Sequence, residues 1–181
     1  MQNRFNYKSS SEFNERPFYL NKVDPRQRAW LEVNKDAIVS NAKALKNYLS
    51  EGCHLMAVVK ADGYGHGAET VAKAALDGGA SSLGVATLQE GIELRYAGLN
   101  CPILILGNLN QVEELGACLH WDLMPTISGI REALLCQNIA DGSGRKFKLH
   151  LKVDTGMTRL GCDLSEAGNL IKAINSCKNL D

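Results

Sequence analysis

The run Ala57-Val58-Val59-Lys60-Ala61-Asp62-Gly63-Tyr64-Gly65-His66-Gly67-Ala68 decides how the rest of the chain is read. Apolar residues lead into a lysine, three glycines follow within five positions, and an apolar-periodic segment opens at Ala68. The pattern predicts a strand over Leu55 to Lys60, a tight glycine turn, and a helix over Ala68 to Leu76. Side chains alternate along a strand, so Met56, Val58 and Lys60 are expected on one face. Lys60 then stands at a strand's C-terminal end, where closed barrels and open α/β sheets both place their sites. An exposed lysine capping a strand edge is the plain alternative. The apolar run before Lys60 and the glycine turn after it count against that alternative.

Outward from this unit the same alternation repeats. Ala29 to Val33 reads as a short leading strand, and Asp36 to Leu49 as a helix with Ile38, Ala42, Leu45 and Leu49 at helical spacing. Strands are expected over Leu83 to Ala86, Ile103 to Leu106, Leu123 to Ile127 and Lys148 to Val153. Helices are expected over Leu88 to Ala97, Gln111 to Leu119, Gly129 to Gln137 and Leu164 to Ser176. Strands alternating with helices imply parallel pairing through right-handed crossovers. Two architectures fit, an open doubly wound sheet and a closed barrel. About five βα units follow the leading pair, whereas a full (β/α)8 barrel takes eight units and roughly 250 residues. The expectation is an α/β chain forming an incomplete parallel barrel, with a sixth strand due after the last helix. Residues 1–28 are polar and aperiodic and read as a flexible arm; residues 29–181 form the barrel part.

Composition narrows the function classes. Twenty basic residues balance twenty acidic ones in the 181-residue chain, giving no electrostatic reason to expect nucleic acid or an anionic membrane as partner. No apolar run is long enough to span a bilayer. The polar start lacks a signal region, which points to a cytoplasmic protein. None of the six cysteines stands in C-x-x-C spacing, so no metal site is expected, and the thiols read as small reduced hydrophobes.

A second run, His150-Leu151-Lys152-Val153-Asp154-Thr155-Gly156-Met157-Thr158-Arg159-Leu160-Gly161, carries titratable groups on a core strand. By period-two alternation His150, Lys152 and Asp154 share the inward face, while Leu149, Leu151 and Val153 face the helices. The two glycines bracketing Arg159 suggest a turn that aims a guanidinium at an anion. A solvated edge strand is the alternative here. Gly63, Gly65 and Ala68 also match the loose dinucleotide pattern G-x-G-x-x-A. The acidic residue such a site needs further on would be Glu90, which falls after the next strand rather than at its end.

Together the two runs resemble alanine racemase, over about Ala29 to the end of the chain. The resemblance implies a barrel that binds pyridoxal 5'-phosphate, with Lys60 as the Schiff-base lysine and the base on one face of the substrate. Amines in desolvated pockets suit that chemistry. It further implies that Tyr64 contacts the phosphate region of the cofactor. Arg159 would support the cofactor's phenolic oxygen and the substrate, and Lys152 would be the lysine that some members carbamylate and pair with that arginine. His66 is expected to be structural. Many members have Asn-Ala at Asp62-Gly63, and Gly or Asn at Thr158. The family's second base is a tyrosine from a C-terminal β domain, reaching in from the other subunit of a homodimer. The implied function is interconversion of L- and D-alanine for peptidoglycan, with this chain alone inactive. A non-catalytic pyridoxal-phosphate barrel, a truncated remnant and a nicotinamide-dependent oxidoreductase are the competing readings.

Overall fold

Strands β1 (Met56–Val58), β2 (Ser82–Val85), β3 (Ile103–Asn108), β4 (Met124–Ile127) and β5 (His150–Leu151) form one parallel sheet in the computed structural model, which describes residues 30–181. Their spatial order is their sequence order, β1-β2-β3-β4-β5. A doubly wound sheet reverses its strand order at a switch point. This sheet has no such reversal, so it is the wall of an incomplete β/α barrel. On the far side of β5, Phe147 bridges Leu180 in parallel, with Phe147 N donating to Asn179 O at 2.8 Å and Asp181 N to Phe147 O at 3.0 Å. Pairing of a sixth partner begins where a sixth strand was due.

The helices are α1 (Lys35–Tyr48), α2 (Lys60–Gly65), α3 (Ala68–Asp77), α4 (Leu88–Tyr96), α5 (Val112–His120), α6 (Ile130–Ser143) and α7 (Leu164–Asn175). Local chemistry sets their starts. The Asn34 side chain accepts from Ala37 N ahead of α1, and Asp163 accepts from Ser165 N ahead of α7. Thr87 and Glu90 form a capping box on α4. Helix α6 runs six residues beyond its expected end at Gln137. Its apolar stripe continues through the fully buried Ala140, and the stop is Gly144, which takes the left-handed C-cap at φ 66°.

One sequence expectation fails at the front of the described residues, and another falls outside them. The arm over residues 1–28 lies outside the described residues. Of the strand expected at Ala29 to Val33, residues 30–33 form no regular element. A strand needs a partner ladder, and among the described residues the Trp30 indole donates locally, to the Glu32 carboxylate at 2.7 Å.

The core lies between the sheet and its helices. Leu83, Val85, Ile103, Ile105 and Ile127 from the strands meet Leu94, Leu115, Cys118, Ala133, Cys136 and Ala140, all 2% exposed or less. Cys118 and Cys136 are free thiols, and burial pushes each up to about 12, so both are neutral packing groups. Proline Pro125 sits inside β4, although it has no N–H for the ladder. The register there jumps from Ile105 opposite Pro125 to Asn108 opposite Thr126, and the Thr126 hydroxyl donates to Ile105 O at 2.7 Å across the irregularity.

Helices α1 and α3 meet at Gly78, where an added Cβ would stand 2.4 Å from Ala42 Cβ and 2.7 Å from Val39 O. One of those atoms is backbone, so the helices must part to admit it. Gly78→Ala should therefore destabilise the protein by about 1–3 kcal/mol. Urea unfolding checks this, and an unchanged midpoint would show that α1 docks without that close approach.

Candidate active site

Strand β1 ends earlier than its sequence suggests, at Val58. Val59 leaves the extended region (φ −120°, ψ 20°), though its amide still donates to Gly84 O at 2.8 Å. Lys60 therefore opens α2 instead of closing a strand. The residues after it do something rare for L-amino acids. Ala61, Asp62, Gly63 and Tyr64 all lie near φ 51–61° and ψ 37–50°, making one turn of left-handed helix. Each non-glycine residue so placed costs about 1–2 kcal/mol, and only Gly63 escapes that cost.

Side chains lock the turn. Asp62 Oδ1 accepts from Ala68 N at 2.7 Å, capping α3. The His66 ring nitrogen Nδ1 stands 3.1 Å from Tyr64 O and 3.2 Å from Gly63 O, so it donates to these carbonyls and serves the structural role expected of it. Glu90 reaches in from α4, with Oε1 accepting from Ala61 N at 2.8 Å and Oε2 accepting from Ala86 N at 2.6 Å and Thr87 N at 3.2 Å. These bonds speak against a dinucleotide site. The Asp62 carboxylate occupies the α3 N-terminus, where a pyrophosphate would bind, and both Glu90 oxygens are engaged by backbone amides.

The second run is also shorter as a strand than expected. Regular pairing covers only His150 and Leu151, opposite Thr126 and Ile127. Beyond it, Val153 bridges Cys162, and Asp154 N donates to Cys162 O at 2.9 Å, closing residues 154–161 into a clasped loop. Gly161 permits the clasp, since a Cβ there would lie 2.5 Å from Asp154 N. Asp154 does not join an inward face. Its Oδ1 accepts from Gly156 N at 3.0 Å and Thr158 N at 2.9 Å, so it organises the loop that carries Arg159. Thr158 holds φ 56° within it, a strained position for a β-branched residue.

Lys60, His150, Lys152 and Arg159 line one cavity of about 330 Å³ at the C-terminal ends of the strands. Leu104 and Leu106, the inward residues of β3, give it an apolar wall beside Thr126. No carboxylate lines it, so its electrostatics favour an anion. Leu151 borders it as well, while packing against the core between sheet and helices as expected. Tyr64 is not among the lining residues and is 60% exposed. Thr126, Met157 and Leu160 line the cavity without having been singled out from the sequence. Thr126 alone left a signal there, as a hydroxyl in the otherwise apolar Met-Pro-Thr-Ile strand.

Residues 33–181 match the family described as alanine racemase, N-terminal domain. The chain belongs to that family. It is 65% identical to an alanine racemase of Prochlorococcus marinus over 161 residues, covering 89% of this chain and 42% of that protein. Among solved structures, an alanine racemase of Clostridium difficile 630 superposes with TM-score 0.75 at 35% identity, over 81% of this chain and 38% of the other. A histidine racemase of Leuconostoc mesenteroides superposes with TM-score 0.76 at 26% identity, over 87% and 42%. The chain thus spans about two fifths of the length of the relatives it matches. No described helix is long and apolar enough to cross a membrane.

The two amides on Asp154 hold its carboxyl below the ordinary value of 3.8, chiefly through Thr158 and then Gly156. A lowered folded-state value means that the carboxylate's hold on the loop is present above the ordinary range and is lost as pH falls through the folded value. The amide resonances of Gly156 and Thr158 should titrate together with a midpoint below 3.8. A midpoint at or above it would mean that the carboxylate does not organise the loop.

Proposed function

We propose that the full-length protein is a pyridoxal-phosphate-dependent alanine racemase, interconverting L- and D-alanine. The observation that carries this reading is the meeting of Lys60, just past the first strand, with Arg159 and Lys152 from the second run around one carboxylate-free cavity. The residues present fit the cofactor's chemistry. A primary amine suits its aldehyde, a cationic rim suits its phosphate and phenolate, and the leucine pair suits its ring. When bound, pyridoxal phosphate delocalises the electron pair left as the α-proton departs.

Each side chain then has a part. Lys60 would hold the cofactor at its aldehyde position through Nζ and, with substrate in place, would take or return the α-proton on one face. Arg159 orients the phenolic oxygen and the substrate carboxylate by charge-assisted hydrogen bonds. Lys152, which lines the same cavity as Arg159, is the candidate for carbamylation, which would replace its positive charge with a negative one able to pair with the guanidinium. Tyr64, carried on the left-handed turn, is assigned to the phosphate region on the resemblance alone. Racemisation needs a proton donor on each face of the planar carbanion. Lys60 serves one face, and the second base is assigned to a C-terminal domain of the partner in a homodimer. On this reading residues 29–181 are the N-terminal part of the barrel, residues 1–28 are an appended arm, and the isolated 181-residue chain is inactive. The protein works in the cytoplasm and supplies D-alanine to peptidoglycan. The likeness to a histidine racemase fits a barrel half that sets the shared chemistry and leaves side-chain choice to residues outside it.

Lys60→Met in the full-length protein should abolish borohydride trapping of pyridoxal phosphate and lower kcat for alanine by at least about 10²–10⁴-fold, the usual worth of a positioned acid–base group. Coupled D-alanine detection and peptide mass mapping measure both. Trapping on another lysine, with racemisation intact, would refute the assignment.

A further inference from the structure

A capping-box glutamate normally serves its own helix, accepting from the N-cap amide with one oxygen. Glu90 does this through Oε2, which meets Thr87 N at 3.2 Å, and the same oxygen binds Ala86 N more closely, at 2.6 Å. Its other oxygen leaves the helix altogether and takes the amide of Ala61 at 2.8 Å, a residue 29 positions earlier. That amide belongs to the peptide bond directly after Lys60, and Ala61 is the first residue of the left-handed turn. A single carboxylate thus ties the lysine's backbone to the end of β2 and the start of α4.

We propose that Glu90 is a positioning residue for Lys60, fixing through the Ala61 amide the direction from which the lysine amine enters the cavity. The proposal rests on the racemase reading above and adds to it a residue that touches neither cofactor nor substrate. The chemistry requires a carboxylate in particular. Three N–H groups converge on it, and an ionised carboxylate accepts at both ends. A glutamine would turn an NH2 group against either Ala61 N–H or the Ala86 and Thr87 pair. An aspartate is one methylene too short to serve both sides. Without the Ala61 bond the left-handed turn keeps its steric cost and loses the contact that starts it. The Lys60 amine then shifts relative to the cavity, and a displacement near 1 Å is worth about 100-fold in rate.

The test compares Glu90→Gln with Thr87→Ala in the full-length holoenzyme. Thr87→Ala removes only the hydroxyl that accepts from Glu90 N, at 3.2 Å, so it weakens the helix start and leaves the Ala61 bond in place. Glu90→Gln should lower kcat by about 10- to 100-fold, with KM for alanine little changed, and should slow borohydride-trapped attachment of pyridoxal phosphate to Lys60. Thr87→Ala should lower the melting temperature and leave both rates alone. Should Glu90→Gln fail to fold, Glu90→Asp gives the same comparison, since it keeps the charge and the α4 contacts while falling short of Ala61. Unaltered rates in the Glu90 variants, or equal losses in Thr87→Ala, would overturn the proposal and leave Glu90 as a helix cap. A holoenzyme that racemises no alanine would refute the functional reading by itself. The trapping rates at Lys60 would still decide for or against Glu90.

Discussion

Four consecutive residues in left-handed helical backbone, Ala61 to Tyr64, are the constraint on which the site depends. Isolated, such a turn is unfavourable by several kcal/mol, at about 1–2 kcal/mol for each of its three non-glycine residues. It persists because separate elements hold it. Asp62 ties it forward to α3, His66 closes it on itself, and Glu90 ties it sideways to α4. Strained backbone of this kind survives only where its surroundings over-determine it. Here the effect is to bring Lys60 out of a strand and into the cavity at once, with no intervening loop. The lysine's side chain is long and flexible, but the backbone beneath it is fixed on both sides.

The second half of the site is built on the opposite principle. Strand β5 has only two regularly paired residues, and the loop after it is held by a clasp at its base and by the Asp154 carboxylate within. Arg159 is carried on that loop, His150 lies on β5, and Lys152 directly follows it. All three are exposed in the described chain. One wall of the cavity is thus locked by tertiary hydrogen bonds, and the other is shaped mainly by bonds within its own segment.

Much of this was legible in the sequence, for identifiable reasons. Every strand from β1 to β5 and every helix of eight or more residues was visible as a short apolar run or a periodic segment, because both signals come from burial against the sheet. Lys60, Lys152 and Arg159 were singled out, and they do line one cavity. What could not be read was where regular backbone stops. Period-two alternation placed Lys60 and Asp154 on strand faces, yet the strands end at Val58 and Leu151. At those endings stand specific hydrogen bonds, from Ala61 N to Glu90 across 29 positions and from Asp154 N to Cys162 O at the base of its own loop, which period-two alternation does not encode. The choice between an open sheet and a barrel likewise depended on strand order. That order is a property of the whole sheet.

The unshuffled strand order also bears on how the chain comes to be folded. Each strand pairs with the one made just before it, across separations of 18 to 26 residues. Such near-neighbour contacts lower the entropic barrier to pairing. They also let the sheet grow from its N-terminal side as synthesis proceeds. By the time α4 has emerged, every bond that shapes the Lys60 turn has its partner. The arginine loop is still unmade, so the lysine's wall is complete before the wall it faces exists.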